Sequence, residues 1–178
     1  MPTYYITTLN FAIPFFITLI AIEIFFSKVY NKDYVIRSMD TLSSLCSGLT
    51  NIVKDVLGLT IIIVSYSLLV DNLAFFKIES SFLVYILAFI GIDFAGYWVH
   101  RINHSINYFW NHHIIHHSSE EFNLACALRQ SISNFFSISF IFLIPTALIG
   151  VPAEVVGVLA PLHLFAQYWY HTRLIGKL

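Results

Sequence analysis

The stretch DFAGYWVHRINHSINYFWNHHIIHHSSEE, residues 93–121, holds six of the chain's eight histidines: His100 and His104, then His112, His113, His116 and His117. On a helix, residues four apart are separated by about 40° around the axis and ~6 Å along it, so His100 and His104 project from one face. His112 and His116 repeat that spacing, and His113 with His116 and His117 forms His-x-x-His-His. The four imidazoles of the second group cannot all point one way, but several can converge. A neutral imidazole nitrogen suits zinc, copper, nickel and iron, so a metal centre is the first reading of the pattern.

Upstream, Ser81 to Val99 is apolar and runs into His100 without a break, which places His100 at a membrane face. Asp93 lies inside that run, seven residues before His100 and on the same helical face. A carboxylate there costs about 2.5–3.5 kcal/mol on insertion scales and is a functional candidate, able to orient a ligating imidazole through its second nitrogen. Composition fits a bilayer throughout. Of 178 residues, 58% are hydrophobic and 11% charged, against about 45–50% and about 25% in soluble domains. Mean hydropathy is +0.77 and net charge −1, and nothing in the charge points to nucleic acid.

Four further apolar runs read as spans: residues 5–26, 53–70, 135–149 and 151–168, the last two divided by Gly150 and Pro152. Pro14 is tolerable in the first because neighbouring helices can satisfy the freed carbonyl. Glu23 sits within a turn of that span's end, where it reaches the interface. No lysine or arginine precedes Lys28 and no small-residue cleavage site is evident, so the first run reads as a retained helix rather than a signal peptide. Residues 34–50, with Val35, Met39, Leu42 and Leu45 at helical spacing, predict a short helix on the membrane surface. The expectation is an all-α, polytopic membrane bundle of about five spans, a single domain over residues 1–178.

Lysine and arginine are retained on the cytoplasmic side. Lys28, Lys32, Arg37, Lys54, Arg101, Arg129, Arg173 and Lys177 fall on one side of this arrangement and Lys77 on the other. The N-terminus is therefore expected outside, with the histidine-rich segment and His171 on the cytoplasmic face. His171 closes the last span and can join the metal group from a third helix. His163 lies about two turns deeper, as a further ligand or as a hydrogen-bonded imidazole within the bundle. Ser118 and Glu121 match a Ser-x-x-Glu capping box, which reads Glu120 and Glu121 as helix-start residues rather than ligands. Cys46 and Cys126 form no Cys-x-x-Cys pattern and are expected as free thiols.

Several chemistries fit poorly. A zinc protease would need His-Glu-x-x-His, which is absent from the sequence. Headgroup contact has no need of these spacings. A transporter would carry polar residues through the bilayer, whereas only Asp93 and His163 lie deep. Haem ligation by paired histidines would not require so many in sequence.

Taken in order, DFAGYWVHR (93–101), His100-x-x-x-His104, His113-x-x-His116-His117, SSEEFNLACALRQS (118–131) and QYWYHT (167–172) resemble the fatty acid hydroxylase and sterol desaturase superfamily, and within it the alkylglycerol monooxygenase-like branch. The resemblance extends into the first span and the loop after it. It implies an integral membrane di-iron enzyme that uses O2 and an electron donor to oxidise a lipid C–H bond, of a fatty acid, sterol or ether lipid. It implies His100, His104, His113, His116, His117 and His171 as iron ligands; His112, His163 and Asp93, from their own positions, are further candidates as ligands or their supports. In the ether-lipid branch a tetrahydropterin supplies the electrons. A desaturase shares the chemistry, and a catalytically silent metal-binding or transport protein is the alternative outside the enzymes. Two features depart from the pattern. Ser105 stands where many relatives carry a glutamate, and the family continues beyond a segment like 174–178 into another His-x-x-His-His box, so the chain reads as the N-terminal part of a longer enzyme.

Overall fold

Apolar runs of twenty residues or more can satisfy their backbone groups in lipid only as helices, and the two longest become the longest elements here. The computed structural model describes residues 3–30, 37–57, 65–133 and 138–174. Among these residues all regular structure is helical: α1 (Thr3–Val29), α2 (Ser38–Val56), α3 (Tyr66–Leu73), α4 (Phe82–Ser105), α5 (Asn107–His113), α6 (Ser139–Ile149) and α7 (Ala153–Ala166). Short 3-10 turns occupy His116–Ser118, Leu124–Leu128 and Gln167–His171. Asn10–Val29 and Phe82–Ser105 are each long and apolar enough to cross a membrane, while Ser139–Ile149 is apolar but shorter. The run expected as a span over 53–70 is helical at its two ends, in α2 and α3, and its middle, 58–64, lies outside the described residues. So do residues 134–137, at the start of the run expected over 135–149.

The chain divides into two compact units. The first comprises Met1–Ala12, Ile61–Ile102 and Phe136–Phe165. Its core is Val84, Ala88 and Ile92 of α4 against Val151, Val155 and Val156, with Tyr66, Leu143 and Leu159 packed at the edge. Gly150 ends α6 in the left-handed region, φ 90°, and a Cβ there would collide with the carbonyl oxygen of Phe76.

The second unit comprises Ile13–Thr60, Asn103–Phe135 and Ala166–Leu178. Phe16 of α1 packs on Tyr168 with ring centroids 4.0 Å apart, and Gly48 of α2 abuts Leu128. Helix α2 is amphipathic in an unusual sense. Met39, Leu42, Leu45, Leu49, Ile52 and Val53 are exposed, while Thr41, Ser44 and Lys54 on the opposite face are buried. The polar face meets the rest of the unit: Ser47 and Asn51 both hydrogen-bond the carbonyl oxygen of Gln130, at 2.8 and 3.0 Å. Glu23, expected at the interface, is instead 2% exposed. Both of its carboxylate oxygens accept protein hydrogen bonds, from the Leu124 N–H at 2.8 Å and from the Thr172 hydroxyl, so it faces into the unit.

Candidate metal centre

Helix α4 carries His100 and His104 one turn apart. Ile106 is extended, φ −120° and ψ 120°, so the chain turns before α5 delivers His113, and the 3-10 turn that follows delivers His116 and His117. The reversal lays the second histidine group over the end of the first. One ligand nitrogen from each of His100, His104, His113 and His117 lies within 4.8 Å of the others. Nε2 of His117 is 3.1 Å from Nε2 of His104 and 3.2 Å from Nε2 of His113.

Those separations fit ligands better than hydrogen-bond partners. Nitrogens bound side by side at about 2.0–2.1 Å from one metal are about 2.9–3.4 Å apart. A ring nitrogen offers one N–H or one lone pair, so Nε2 of His117 cannot serve two neighbouring nitrogens well, whereas a cation accepts all three lone pairs. Trp110 walls the group, its ring centroid 5.3 Å from that of His104 and 5.7 Å from that of His117. His100, His104 and His117 are exposed, which leaves the group open to approach.

His116 and His171 meet beside this group, Nε2 to Nε2 at 3.4 Å. A carbonyl oxygen only accepts, so its partner nitrogen must carry the proton. Nδ1 of His116 donates to the carbonyl of Arg129 at 3.2 Å and Nδ1 of His171 to that of Gln167 at 3.3 Å. In both rings the Nε2 lone pair is thereby aimed at the other ring, which is the way proteins fix the tautomer of a ligating histidine. Desolvation, partial at the exposed His117 and deeper at His171, holds both pKa values below the ordinary 6.5, so each favours the neutral form a metal needs. His104 and His171 add to the effect at His117 by repulsion.

The remaining candidates have other partners. His112 Nδ1 lies 3.0 Å from the Ser133 hydroxyl. Asp93 lies 2.9 Å from Nε2 of buried His163, whose ring also meets Phe89 edge-on. No helix starts at Ser118. It closes a 3-10 turn and donates to the Ile115 carbonyl at 2.7 Å. Glu121 is buried between Arg37 at 2.8 Å and Arg173 at 3.5 Å, so ion pairing has displaced the expected capping box. Burial pushes the Cys126 thiol up, which keeps it protonated.

Sequence reasoning passed over Trp110 and the Asp40–Arg129 pair. Nη2 of Arg129 is 2.7 Å from Oδ1 of Asp40, with both side chains largely buried. The one available signal was a lone arginine in the otherwise uncharged run 122–133.

A family model described as fatty acid hydroxylase matches residues 85–178, which take in the histidine groups. The chain belongs to the fatty acid hydroxylase family. It is 36% identical over 170 residues to alkylglycerol monooxygenase of Danio rerio, an alignment covering 95% of this chain and 38% of that protein. The Homo sapiens enzyme of the same name is 36% identical over 168 residues, 94% of this chain and 37% of the relative. For Xenopus tropicalis the figures are 37% over 166 residues, 92% and 36%. The chain thus spans less than two fifths of the length of these relatives. No solved structure matches it significantly.

Proposed function

We propose that this chain forms the metal-holding part of a membrane-embedded lipid hydroxylase, in which His100, His104, His113 and His117 hold one iron and His116 and His171 contribute to a second. The observation that carries the reading is the pair of adjacent nitrogen sets, one within 4.8 Å and one closing at 3.4 Å. Iron bound there would supply the O2-activating chemistry that insertion of oxygen into an unactivated lipid C–H bond requires, with two electrons and two protons from an outside donor reducing the second oxygen atom to water.

The protein's own part is positional. Backbone carbonyls hold the Nδ1 protons of His116 and His171 away from the ligand side. Trp110 lines the four-histidine group with an apolar wall. The exposed side of that group leaves an approach for a lipid tail, and the loop charge favours the cytoplasmic face for it, with the N-terminus outside. Five spans complete this reading. An alkylglycerol is the first substrate to test and a tetrahydropterin the first donor, given the relatives' names and the resemblance of the histidine boxes. The test is metal content per chain, measured without a histidine tag, followed by O2-dependent conversion of an alkylglycerol with tetrahydropterin supplied. Two irons per chain with hydroxylated product is the expected result. Metal retained with no lipid oxidation across fatty acid, sterol and ether-lipid substrates would favour a catalytically silent metal-binding protein, and metal flux in proteoliposomes a transporter.

A further inference from the structure

We propose that Glu23 of α1 and Asp40 of α2 are positioning residues for the metal position formed by His116 and His171, acting through Thr172 and Arg129 respectively. The inference rests on the reading above and names the residues that hold that position in shape.

Arg129 is fixed from several directions. Its Nη2 contacts Oδ1 of Asp40 at 2.7 Å and the Asp40 carbonyl at 3.0 Å, its Nε the Ser44 hydroxyl at 3.2 Å, and its Nη1 the Ser118 hydroxyl at 3.4 Å. The other oxygen of Asp40 accepts from Ser119 at 2.7 Å. A guanidinium anchored by a planar fork loses little freedom on binding and holds its own backbone in place. The carbonyl of that backbone is the acceptor for Nδ1 of His116. A shift of Arg129 therefore turns the ligating imidazole.

Glu23 works on the opposing ring. One carboxylate oxygen accepts from the N–H of Leu124, the first residue of the 3-10 turn, and the other from the hydroxyl of Thr172, the residue after His171. Thr172 Oγ1 in turn accepts from the Leu174 N–H at 3.2 Å, which fixes its rotamer. At 2% exposure an acid side chain has little water to bond with, and protein hydrogen bonds take its place. Here they join the first helix to the segment bearing His171. Two acids from the first two helices thus support the two facing imidazoles, one apiece.

The experiment uses the untagged chain in mild detergent, titrated with Co(II) as an absorbing substitute for iron, with bound metal counted by elemental analysis. Asp40→Asn, Glu23→Gln and Thr172→Val are compared with wild type and with His171→Ala. Two equivalents are expected for wild type. Each supporting variant should weaken one equivalent by about 10–100-fold, the one lost in His171→Ala, while the other keeps the wild-type absorption band and circular dichroism is unchanged. Adding Thr172→Val to Glu23→Gln should cost nothing further. Should an acid variant fail to fold, Thr172→Val, which removes only a hydroxyl, decides. Wild-type affinity at both positions in the folded supporting variants, or equal weakening of both, overturns the inference alone. A wild-type chain that binds fewer than two equivalents overturns the reading beneath it as well.

Discussion

Two imidazoles of the second unit, those of His117 and His171, are held in the neutral form that a metal ligand needs. His117 and His171 are depressed by burial, and the sign of the consequence follows. Above about pH 6.5 the folded and unfolded chains both carry these rings neutral; below it the unfolded chain takes up protons that the folded chain resists. The metal-free protein should therefore lose thermal stability as pH falls from 7.5 through 6.5 to 5.5, and a Tm independent of pH over that range would contradict the burial. Glu121→Ala should lower stability by about 1–3 kcal/mol, toward the low end because Arg37 and Arg173 are partly exposed, and should leave bound metal unchanged. His104→Ala should lower bound metal sharply, and equal metal loss in the two variants would overturn these roles. The histidines were legible because ligand spacing is local. Glu23 and Asp40 were not, since Glu23 meets Leu124 across 101 residues and Asp40 meets Arg129 across 89. The Ser118–Glu121 pattern was misread because a local cap was outweighed by ion pairs that buried Glu121 makes with arginines from elsewhere in the chain.

At the scale of elements, unbroken apolar runs without capping residues made the helices of α1 and α4 readable, and the turn between α6 and α7 was announced by Gly150 and Pro152. Gly150→Ala should cost about 1–2 kcal/mol for the left-handed backbone alone, and more for the clash with Phe76; a thermal melt matching wild type would show that the turn is not held as described. The short 3-10 turns were not readable, for they are shaped by contacts made after the helices assemble. Helix α2 shows the limit of pattern reading. Its period is plain in Met39, Leu42 and Leu45, but a period does not say which face turns outward, and here the apolar face does. Ser44→Val, which removes an acceptor from the Arg129 guanidinium, should destabilise the chain by about 1–3 kcal/mol. Leu49→Ser on the exposed face should leave the fold intact, with circular dichroism and thermal melt as in wild type.

For the molecule as a whole, sidedness can be read with thiol labels. With Cys46 and Cys126 replaced by alanine, Lys77→Cys should react with a membrane-impermeant maleimide in intact cells, and Asn111→Cys only after permeabilisation; the reverse pattern would invert the orientation argued from loop charge. The outward apolar face of α2 also bears on what kind of free energy would hold this protein together in a bilayer. A soluble domain gains its stability by withdrawing oil-like surface from water, and its unfolding carries a large heat-capacity change. Where oil-like surface is left facing lipid in the native chain, that driving force has already been spent on insertion and cannot distinguish folded from unfolded. What remains is the set of hydrogen bonds and ion pairs turned inward, which have few competing partners in lipid. Calorimetry in bilayer-mimicking micelles should show a heat-capacity change well below the soluble norm of about 12–15 cal/mol/K per residue. Efforts to make such a protein sturdier would then do best by improving its wet interior and leaving its greasy exterior alone.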